Sequence, residues 1–242
     1  SSTNNAIARF DGTTGKIVQN SLVTIDDTGV IAVNGVTTVQ PTLINGVAGT
    51  ISIGSTNTTN TGSYNQNYGT GAGASRTTGA SAIAQGTYAG YVNTTGSNWI
   101  AQGTNAGASN TTGSSWIAQG YGAGHSNTTG GSWIAQGIYA GYSNTTGSTW
   151  IAQGDSAGAA NTTGGSWIAQ GTNAGYSNTT GSSWIAQGYG AGYSNTTGNN
   201  WVAQGTNAGR YTSTGNLTIA NNTVHIGYNS KSLADNATNE IV

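Results

Sequence analysis

Residues 99–115 read WIAQGTNAGASNTTGSS, and residues 116–132 read WIAQGYGAGHSNTTGGS. The phrase recurs every 17 residues from Ala82, which holds the tryptophan place in the first copy, to Arg210. The tryptophans that open the later copies are Trp99, Trp116, Trp133, Trp150, Trp167, Trp184 and Trp201. A fixed short period is typical of a solenoid, in which each copy buries its apolar face only against its neighbours. This period is too short for the common helical repeats and suits one β-strand with turns, so we predict an all-β solenoid.

The composition favours an ordered chain and excludes several classes of partner. Charged residues make up 5% of the 242 residues and the net charge is −1, so no long-range field attracts nucleic acid. Seven Trp and twelve Tyr with so little charge argue against disorder. No apolar run approaches the roughly 18 residues of a membrane span, so we predict no membrane insertion. With no cysteine, the sequence does not indicate a redox compartment.

The apolar content of one copy is too small to stabilise a lone chain. The sequence has one Phe, no Met and 41 Gly, and each copy offers one Trp, one Ile or Val and two Ala. Ordering the backbone costs roughly 1–2 kcal/mol per residue, and glycine raises that cost. We therefore expect apolar faces to be buried between chains. The predicted fold is a homotrimeric fibrous β-solenoid, a β-roll or triple β-helix wound about a common axis.

Three modules are predicted along the chain. Residues 1–50 form a small β-meander, residues 51–210 the repeat solenoid, and residues 211–242 a C-terminal cap or exit segment with strands near 217–220 and 224–227. The meander is inferred from short β-branched runs separated by turn residues, with Asn34-Gly35 as the strongest hairpin signal. The runs cover residues 6–10, 16–18, 22–25, 30–33 and 36–39.

Within each copy, the W-I-A-Q segment is the predicted strand. Alternation places Trp99 and Ala101 on one face and Ile100 and Gln102 on the other. We expect Ile and Gln to point inward and to form ladders at about 4.8 Å per coil, with the Trp ladder outside and partly covered by a neighbouring chain. The reverse, with Trp inside, stays open. The predicted glutamine ladder comprises Gln102, Gln119, Gln136, Gln153, Gln170, Gln187 and Gln204.

Two corners are predicted in each coil. The Asn-Thr-Thr-Gly segments that start at Asn93 and recur to Asn195 have a turn composition, and Ala-Gly pairs such as Ala106-Gly107 mark a second, tight corner. The Asn-Thr-Thr-Gly segments also match the acceptor pattern for N-glycosylation. Because they recur in every coil, we favour a structural role.

Positions that vary between copies are free of the repeat's packing constraint and are candidate contact points. Tyrosine on a turn edge can stack on a sugar ring or contact a protein receptor. The alternative is a solvated, partly packed stripe with no ligand. The receptor-contact candidates are Tyr121, His125, Tyr139, Tyr142, Tyr176, Tyr189 and Tyr193.

The sequence does not predict an enzyme, a cofactor or a metal site. Glycan hydrolysis needs two facing carboxylates, and the repeats contain one acidic residue, Asp155. His125 and His225 lack the spacing of a metal site. The glycines of residues 69–73 lie in register with the solenoid rather than before a helix, which argues against a phosphate loop. Asp26-Asp27 is interpreted as an acidic turn rather than a cation site.

Two segments carry a resemblance to known proteins. Residues 4–16, NNAIARFDGTTGK, resemble a segment of bacteriophage tail fibre and tail spike proteins. Residues 223–231, TVHIGYNSK, and 238–242, TNEIV, resemble the end of phage fibres that carry a cleavable intramolecular chaperone. Residues 51–54, ISIG, are similar to the heads of trimeric autotransporter adhesins. In the later copies Gln replaces the second core Ile of that pattern, and Trp enters a polar slot.

This resemblance implies a homotrimeric virion tail fibre at the extracellular surface that contacts a host surface glycan or outer-membrane protein. It also suggests that the chain was cut or truncated after Val242, with the chaperone gone. A bacterial trimeric adhesin head is the first alternative. An ice-binding β-solenoid, with the paired threonines as a hydroxyl array, is the second. Thermal hysteresis separates the last from the others.

Overall fold

A computed structural model describes six short strands within residues 1–60, and then residues 61–212, 218–232 and 237–242. The described chain is all-β and contains no helix. Parallel strands recur at 17-residue spacing in stacked coils, which confirms the prediction of a repeat β-solenoid. The trimer stays a prediction, because the structure is that of a single chain.

The strands within the first 60 residues pair in antiparallel fashion. Four of them overlap the first four predicted runs, whereas the run at 36–39, the Asn34-Gly35 turn and Asp26-Asp27 lie outside the described residues. The β-meander as a whole therefore stays a prediction. The pairs are β1 (Arg9–Phe10) with β2 (Val18–Gln19), β3 (Val23–Ile25) with β4 (Ile31–Val33), and β5 (Thr42–Leu43) with β6 (Ile51–Ile53).

The solenoid contributes one strand per coil to a single continuous sheet. Neighbouring strands are parallel and pair residues 17 apart, so that Trp116 lies beside Trp99 and Gln119 beside Gln102. The strands that follow β6 are β7 (Asn65–Tyr68), β8 (Ala82–Gln85), β9 (Trp99–Gln102), β10 (Trp116–Gln119), β11 (Trp133–Gln136), β12 (Trp150–Gln153), β13 (Trp167–Gln170), β14 (Ile185–Gln187) and β15 (Val202–Gln204).

The C-terminal segment extends the same sheet by one strand. β18 (Val224–Ile226) pairs with β15 in parallel, after an insertion that lengthens the spacing from 17 to 22 residues. The predicted strand at 224–227 is therefore present, whereas the strand predicted near 217–220 begins only at its last residue. The remaining strands are β16 (Tyr211–Thr212), β17 (Ala220–Asn221), β19 (Lys231–Ser232) and β20 (Ala237–Thr238).

The inner face of the repeat strand carries Trp and Ala, so the preferred inward assignment of Ile and Gln is wrong. Trp150 is 1% exposed and Ala152 is fully buried, whereas Ile151 and Gln153 are partly exposed. Each coil has one strand, and the space behind that strand reaches to the turns. An indole ring is large enough to fill this space, and the paired alanines leave room for it.

The buried indoles form a continuous stack along the solenoid. Successive ring centroids lie 4.7–4.9 Å apart and the planes differ by 8° or less. Trp150 Nε1 donates a hydrogen bond to the Gly147 carbonyl at 3.0 Å, which satisfies its buried donor. A Cβ built on Gly141, whose φ is +58°, would lie 2.6 Å from Trp150 Cη2. The Ala-Gly corner therefore needs glycine both for its backbone and for its contact with the indole.

A second ladder, of asparagine, lies inside the Asn-Thr-Thr-Gly corner. Asn144 is fully buried and its Nδ2 donates to Asn161 Oδ1 at 3.0 Å, towards the following coil. The first threonine of each corner adds a parallel bond, as when Thr145 Oγ1 donates to the Thr162 carbonyl at 2.9 Å. Buried and hydrogen-bonded asparagine amides support the structural interpretation of these corners over glycosylation.

At each end of the tryptophan stack, a polar side chain takes the place of the usual repeat residue. Arg76, which occupies the asparagine position of its coil, is buried and lies over the Trp99 ring at 4.5 Å, while its Nη1 donates to Asn67 Oδ1 at 3.1 Å. Burial lowers the pKa of Arg76 to about 10. At the other end, buried His225 takes the place of the strand alanine beside Ala203, and its Nε2 lies 3.2 Å from Ser232 Oγ. Both ends of the apolar interior are therefore closed by polar side chains.

Candidate functional site

Two outward surfaces of the solenoid are candidate contact sites. The first is the outward side of the sheet, which we call the Ile-Gln strip; it comprises the second and fourth residues of each repeat strand from Ile83 to Gln204. The second is formed by the turns that follow the strands, which we call the turn stripe. The turn stripe contains the seven receptor-contact candidates, Tyr121, His125, Tyr139, Tyr142, Tyr176, Tyr189 and Tyr193.

The glutamines of the Ile-Gln strip form a hydrogen-bonded ladder on the outside of the coil. Gln136 Nε2 donates to Gln119 Oε1 at 2.6 Å, and Gln153 Nε2 donates to Gln136 Oε1 at the same distance. Every bond of this ladder points towards the preceding coil, opposite to the asparagine ladder. The ladder fixes the strip as a straight, ordered surface.

Isoleucines make the strip apolar beside this ladder. They line a groove of about 920 Å³ that runs along successive coils, together with the tryptophan positions of the same strands and the Ser, Thr and Asn residues that precede them. The six isoleucines of the groove are Ile83, Ile100, Ile117, Ile134, Ile151 and Ile168. A large apolar groove that follows the axis of a rod is typical of a surface that another chain covers.

The turn stripe contains a first group of stacked rings. Tyr142 stacks on His125 with centroids 5.0 Å apart and planes 14° apart. Tyr139 contacts Tyr121 and Tyr142 edge to face, each at 5.3 Å. These four side chains from neighbouring coils form one aromatic cluster, and Tyr121 and Tyr139 are 47% and 40% exposed.

A second group lies two coils further along. Tyr176 stacks on Tyr193 at 5.1 Å with planes 7° apart, and the Arg210 guanidinium lies 4.4 Å from the Tyr193 centroid. Six of the seven candidates are therefore arranged in two clusters of contacting rings. Tyr189, the seventh, is exposed in the turn of the same coil as Tyr193.

A notch separates the two groups at the coil of strand β12. It has a volume of about 190 Å³ and is lined by Tyr139, Tyr142, Ser143, Ser156, Ala159, Ala160 and Tyr176. The variable tyrosines alone do not indicate this notch. Its sequence signal is the choice of small residues in this copy, since Ala159 and Ala160 replace the aromatic residue and the serine found at these positions in both neighbouring copies.

The turn stripe carries few charged groups. Desolvation lowers the pKa of His125, which favours the neutral imidazole. Desolvation, together with the neighbouring Tyr121 and Tyr142, raises the pKa of Tyr139. Asp155, at the notch, and Arg210, on Tyr193, are the charged groups along this edge from Tyr121 to Arg210.

The remaining sequence-selected positions carry no assembled chemistry in the described residues. Across the described parts of the chain, no three His, Cys, Asp or Glu side chains come together in a group that could hold a metal ion. The absence of an enzymatic activity and of a cofactor stays a prediction. Within the described ranges no helix has the length and apolar character that a membrane span requires.

Searches of family models, of curated proteins and of solved structures find no match to this chain. The family of the chain therefore stays a prediction from the sequence resemblance.

Proposed function

We propose that the chain is a structural segment of a homotrimeric bacteriophage tail fibre, which assembles through the Ile-Gln strip and contacts the host-cell surface through the turn stripe. The observation that carries the proposal is the apolar groove along the outside of a solenoid whose interior is already filled by the indole stack. An occupied interior leaves assembly between chains as the remaining way to bury the isoleucines.

The direction of the groove supports a parallel cyclic assembly. The groove follows the stacking direction of the strands, so a rotation axis parallel to the solenoid brings the same strip of every copy to the centre. Three copies about such an axis leave the turn edges on the outside. Isoleucine burial would contribute about 25 cal/mol per Å² of apolar surface removed from water.

Mass in solution tests the assembly. Light scattering on the wild-type chain is expected to give three times the 24.1 kDa chain mass. Ile134→Lys is expected to reduce the mass to that of one chain, because it places a buried charge at the axis in every copy. Ile138→Lys is the matched control: Ile138 is 51% exposed in the adjoining turn, outside the groove, and its substitution is expected to leave the mass unchanged.

Two results would contradict the proposed assembly. One is a wild-type chain that stays monomeric at all concentrations, and the other is an equal effect of the two lysine substitutions. The function at the cell surface needs a separate measurement, namely binding of fluorescently labelled wild-type protein to a panel of intact bacterial strains. Binding to none of the strains would count against the host-contact part.

The two alternative functions share this architecture. A trimeric adhesin head would assemble through the same strip and differ in the structure that carries it, so binding to the producing bacterium's own host tissue would separate the two. For ice binding, the first threonine of each corner donates its hydroxyl hydrogen to the next coil, which leaves the second threonine column as the exposed array. Absence of thermal hysteresis would exclude this function.

A further inference from the structure

The notch at the coil of β12 is a gap between two stacked pairs of rings, in the column of side chains that follow the Ala-Gly corners. The position after each Ala-Gly corner is occupied, in successive coils, by His125, Tyr142, Ala159, Tyr176 and Tyr193. The rings on either side of the alanine each stack on a neighbour through one face, Tyr142 on His125 and Tyr176 on Tyr193. Their other faces are directed at the coil of Ala159, and both rings line the notch.

The width of the gap is set by the strand spacing. Tyr142 and Tyr176 come from coils two steps apart, so their rings are separated by about 9.6 Å, which is two strand spacings. A ring inserted midway would lie about 5 Å from each tyrosine, within the usual range for contacts to an aromatic face. This matches the 5.0 and 5.1 Å separations within the two existing stacks.

Three residues of the coil that forms the notch have smaller side chains than their equivalents in the preceding coil. Ala159 lacks the ring of its neighbours, Ala160 lacks the hydroxyl present at Ser143 and Ser177, and Ser156 replaces the Tyr139 of the preceding coil. Ser156 and Tyr139 both have positive φ, at 55° and 52°, in a position where Asn105 and Asn173 occupy other coils. Tyr88 has the same conformation at this position, with φ of 56°, so the positive φ belongs to the turn of the repeat.

Polar groups lie at the rim of the notch. Ser143 and Ser156 line it, and Ser156 Oγ donates to the carboxylate of Asp155 at 2.8 Å. Asp155 is exposed and is the one acidic residue of the repeats. The lining of the notch therefore combines aromatic walls with two hydroxyls and no cationic group, and the Asp155 carboxylate is hydrogen-bonded to one of these hydroxyls from outside the lining.

We infer that the notch is a subsite for one pyranose ring of a neutral or amino-bearing surface glycan, with Tyr142 and Tyr176 as its walls. The axial C–H bonds on a sugar face carry partial positive charge and complement the negative face of an aromatic ring. Sugar hydroxyls at the ring edge would hydrogen-bond to Ser143, Ser156 and the Asp155 carboxylate. The carboxylate disfavours sialic and uronic acids through like-charge repulsion. The inference deepens the proposed host contact and rests on the turn stripe being its contact surface.

The test fills the notch with a tyrosine side chain. Ala159→Tyr places in this coil the side chain that Tyr142, Tyr176 and Tyr193 place in theirs, so the fold is expected to keep its thermal midpoint. Ala108→Tyr is the matched control, because Ala108 is the equivalent alanine three coils earlier and lies outside the notch. Tyr176→Leu removes one aromatic wall of the notch. It provides a second test of binding if Ala159→Tyr does not fold.

The measurement is saturation-transfer NMR with a panel of neutral hexose, N-acetylhexosamine, amino-sugar, sialylated and uronic-acid oligosaccharides. The wild type and Ala108→Tyr are expected to bind at least one neutral or amino oligosaccharide, and Ala159→Tyr and Tyr176→Leu to lose at least tenfold in affinity. Asp155→Asn is expected to lose severalfold. The inference is overturned if acidic glycans alone bind, if N-acetyl-tryptophanamide binds and no glycan does, or if both alanine substitutions have equal effects.

The subsite and the proposed function can fail separately. Cell binding that survives Ala159→Tyr would overturn the subsite and leave the host contact in place. Glycan binding in solution that is sensitive to Ala159→Tyr, combined with a monomeric mass and no cell binding, would support the subsite and overturn the fibre function.

Discussion

Single side chains hold neighbouring coils together by bonding to their own equivalents. Asn144 illustrates this: its Nδ2 donates to Asn161 Oδ1 and to the Gly164 carbonyl, while its Oδ1 accepts from Asn127 Nδ2. A buried amide in such a row satisfies its own polar atoms and those of two neighbours. The contribution of the residue therefore belongs to the row rather than to one pair.

Loss of one amide from this row is expected to be costly. Asn144→Ala removes the acceptor of Asn127 and the donor of Asn161, and a buried polar group left without its partner costs about 1–3 kcal/mol. Chemical denaturation of the protein should show a loss of this size. The control is Thr146→Ala in the same corner, where the side chain is exposed and the expected change is within about 0.5 kcal/mol. Equal losses for the two variants would contradict the role assigned to the asparagine row.

His225 makes the C-terminal end of the solenoid sensitive to acid. Desolvation lowers its pKa below the ordinary 6.5, with a smaller opposing effect of Glu240. The folded state therefore binds fewer protons than the unfolded state at mildly acidic pH, and stability rises with pH across this interval. The contribution is fully present above pH 6.5 and is lost as the pH falls towards the lowered pKa.

Hydrogen exchange measures this effect locally. The amides of Val224–Ile226 are expected to lose protection as the pH is lowered from 7 to 5, after correction for intrinsic rates, and those of Trp133–Gln136 are not. His225→Gln, which keeps a polar side chain that does not titrate, is expected to abolish the difference. The same loss in the variant as in the wild type would rule out His225 as the cause.

At the scale of the strand, much of the element could be predicted and its orientation could not. The period and the position of W-I-A-Q follow from the recurrence of Trp and Gly, and β9 covers Trp99–Gln102 as expected. Alternation divides this strand into two faces but does not say which is inside. Trp lies inside because the space behind a single strand is large enough for an indole ring. The size of that space depends on the positions of the turns, which the alternation pattern does not predict.

For the corners and the candidate site as well, the positions of residues in turns could be predicted and their packing could not. Asn144 and its equivalents were predicted to lie in turns, yet their burial was missed because asparagine is also an ordinary residue of exposed turns. Its presence in seven consecutive copies was the available signal. The candidate tyrosines lie in turns, and their contact with a receptor stays a prediction. The notch depends on which rings lie on either side of Ala159, and this requires the stacking of coils to be known.

At the scale of the whole molecule, the solenoid behaves as a row of similar units. Each coil contacts the coils before and after it, as the strand pairs show, so stability is close to a sum of unit and nearest-neighbour terms. The number of coils can therefore change without loss of the fold. The register between neighbouring coils cannot change, because a shift of register places Ile and Gln in the interior.

Deletion of one complete repeat tests this property. Removal of residues 99–115 joins Asn98 to Trp116 and keeps the phase, so the shortened chain is expected to fold and to melt cooperatively in circular dichroism. Removal of residues 104–111 changes the phase within one coil and is expected to abolish the cooperative transition or lower its midpoint strongly. Similar melting of the two deletion variants would mean that the coils do not depend on a common register.

The opposed directions of the two amide ladders have a consequence for the length of the rod. Glutamine amides donate towards the preceding coil and asparagine amides towards the following one. The side-chain dipoles of the two columns therefore oppose each other, and their sum does not grow as coils are added. A change in the number of repeats can therefore alter the length of the protein without building up a side-chain dipole along its axis.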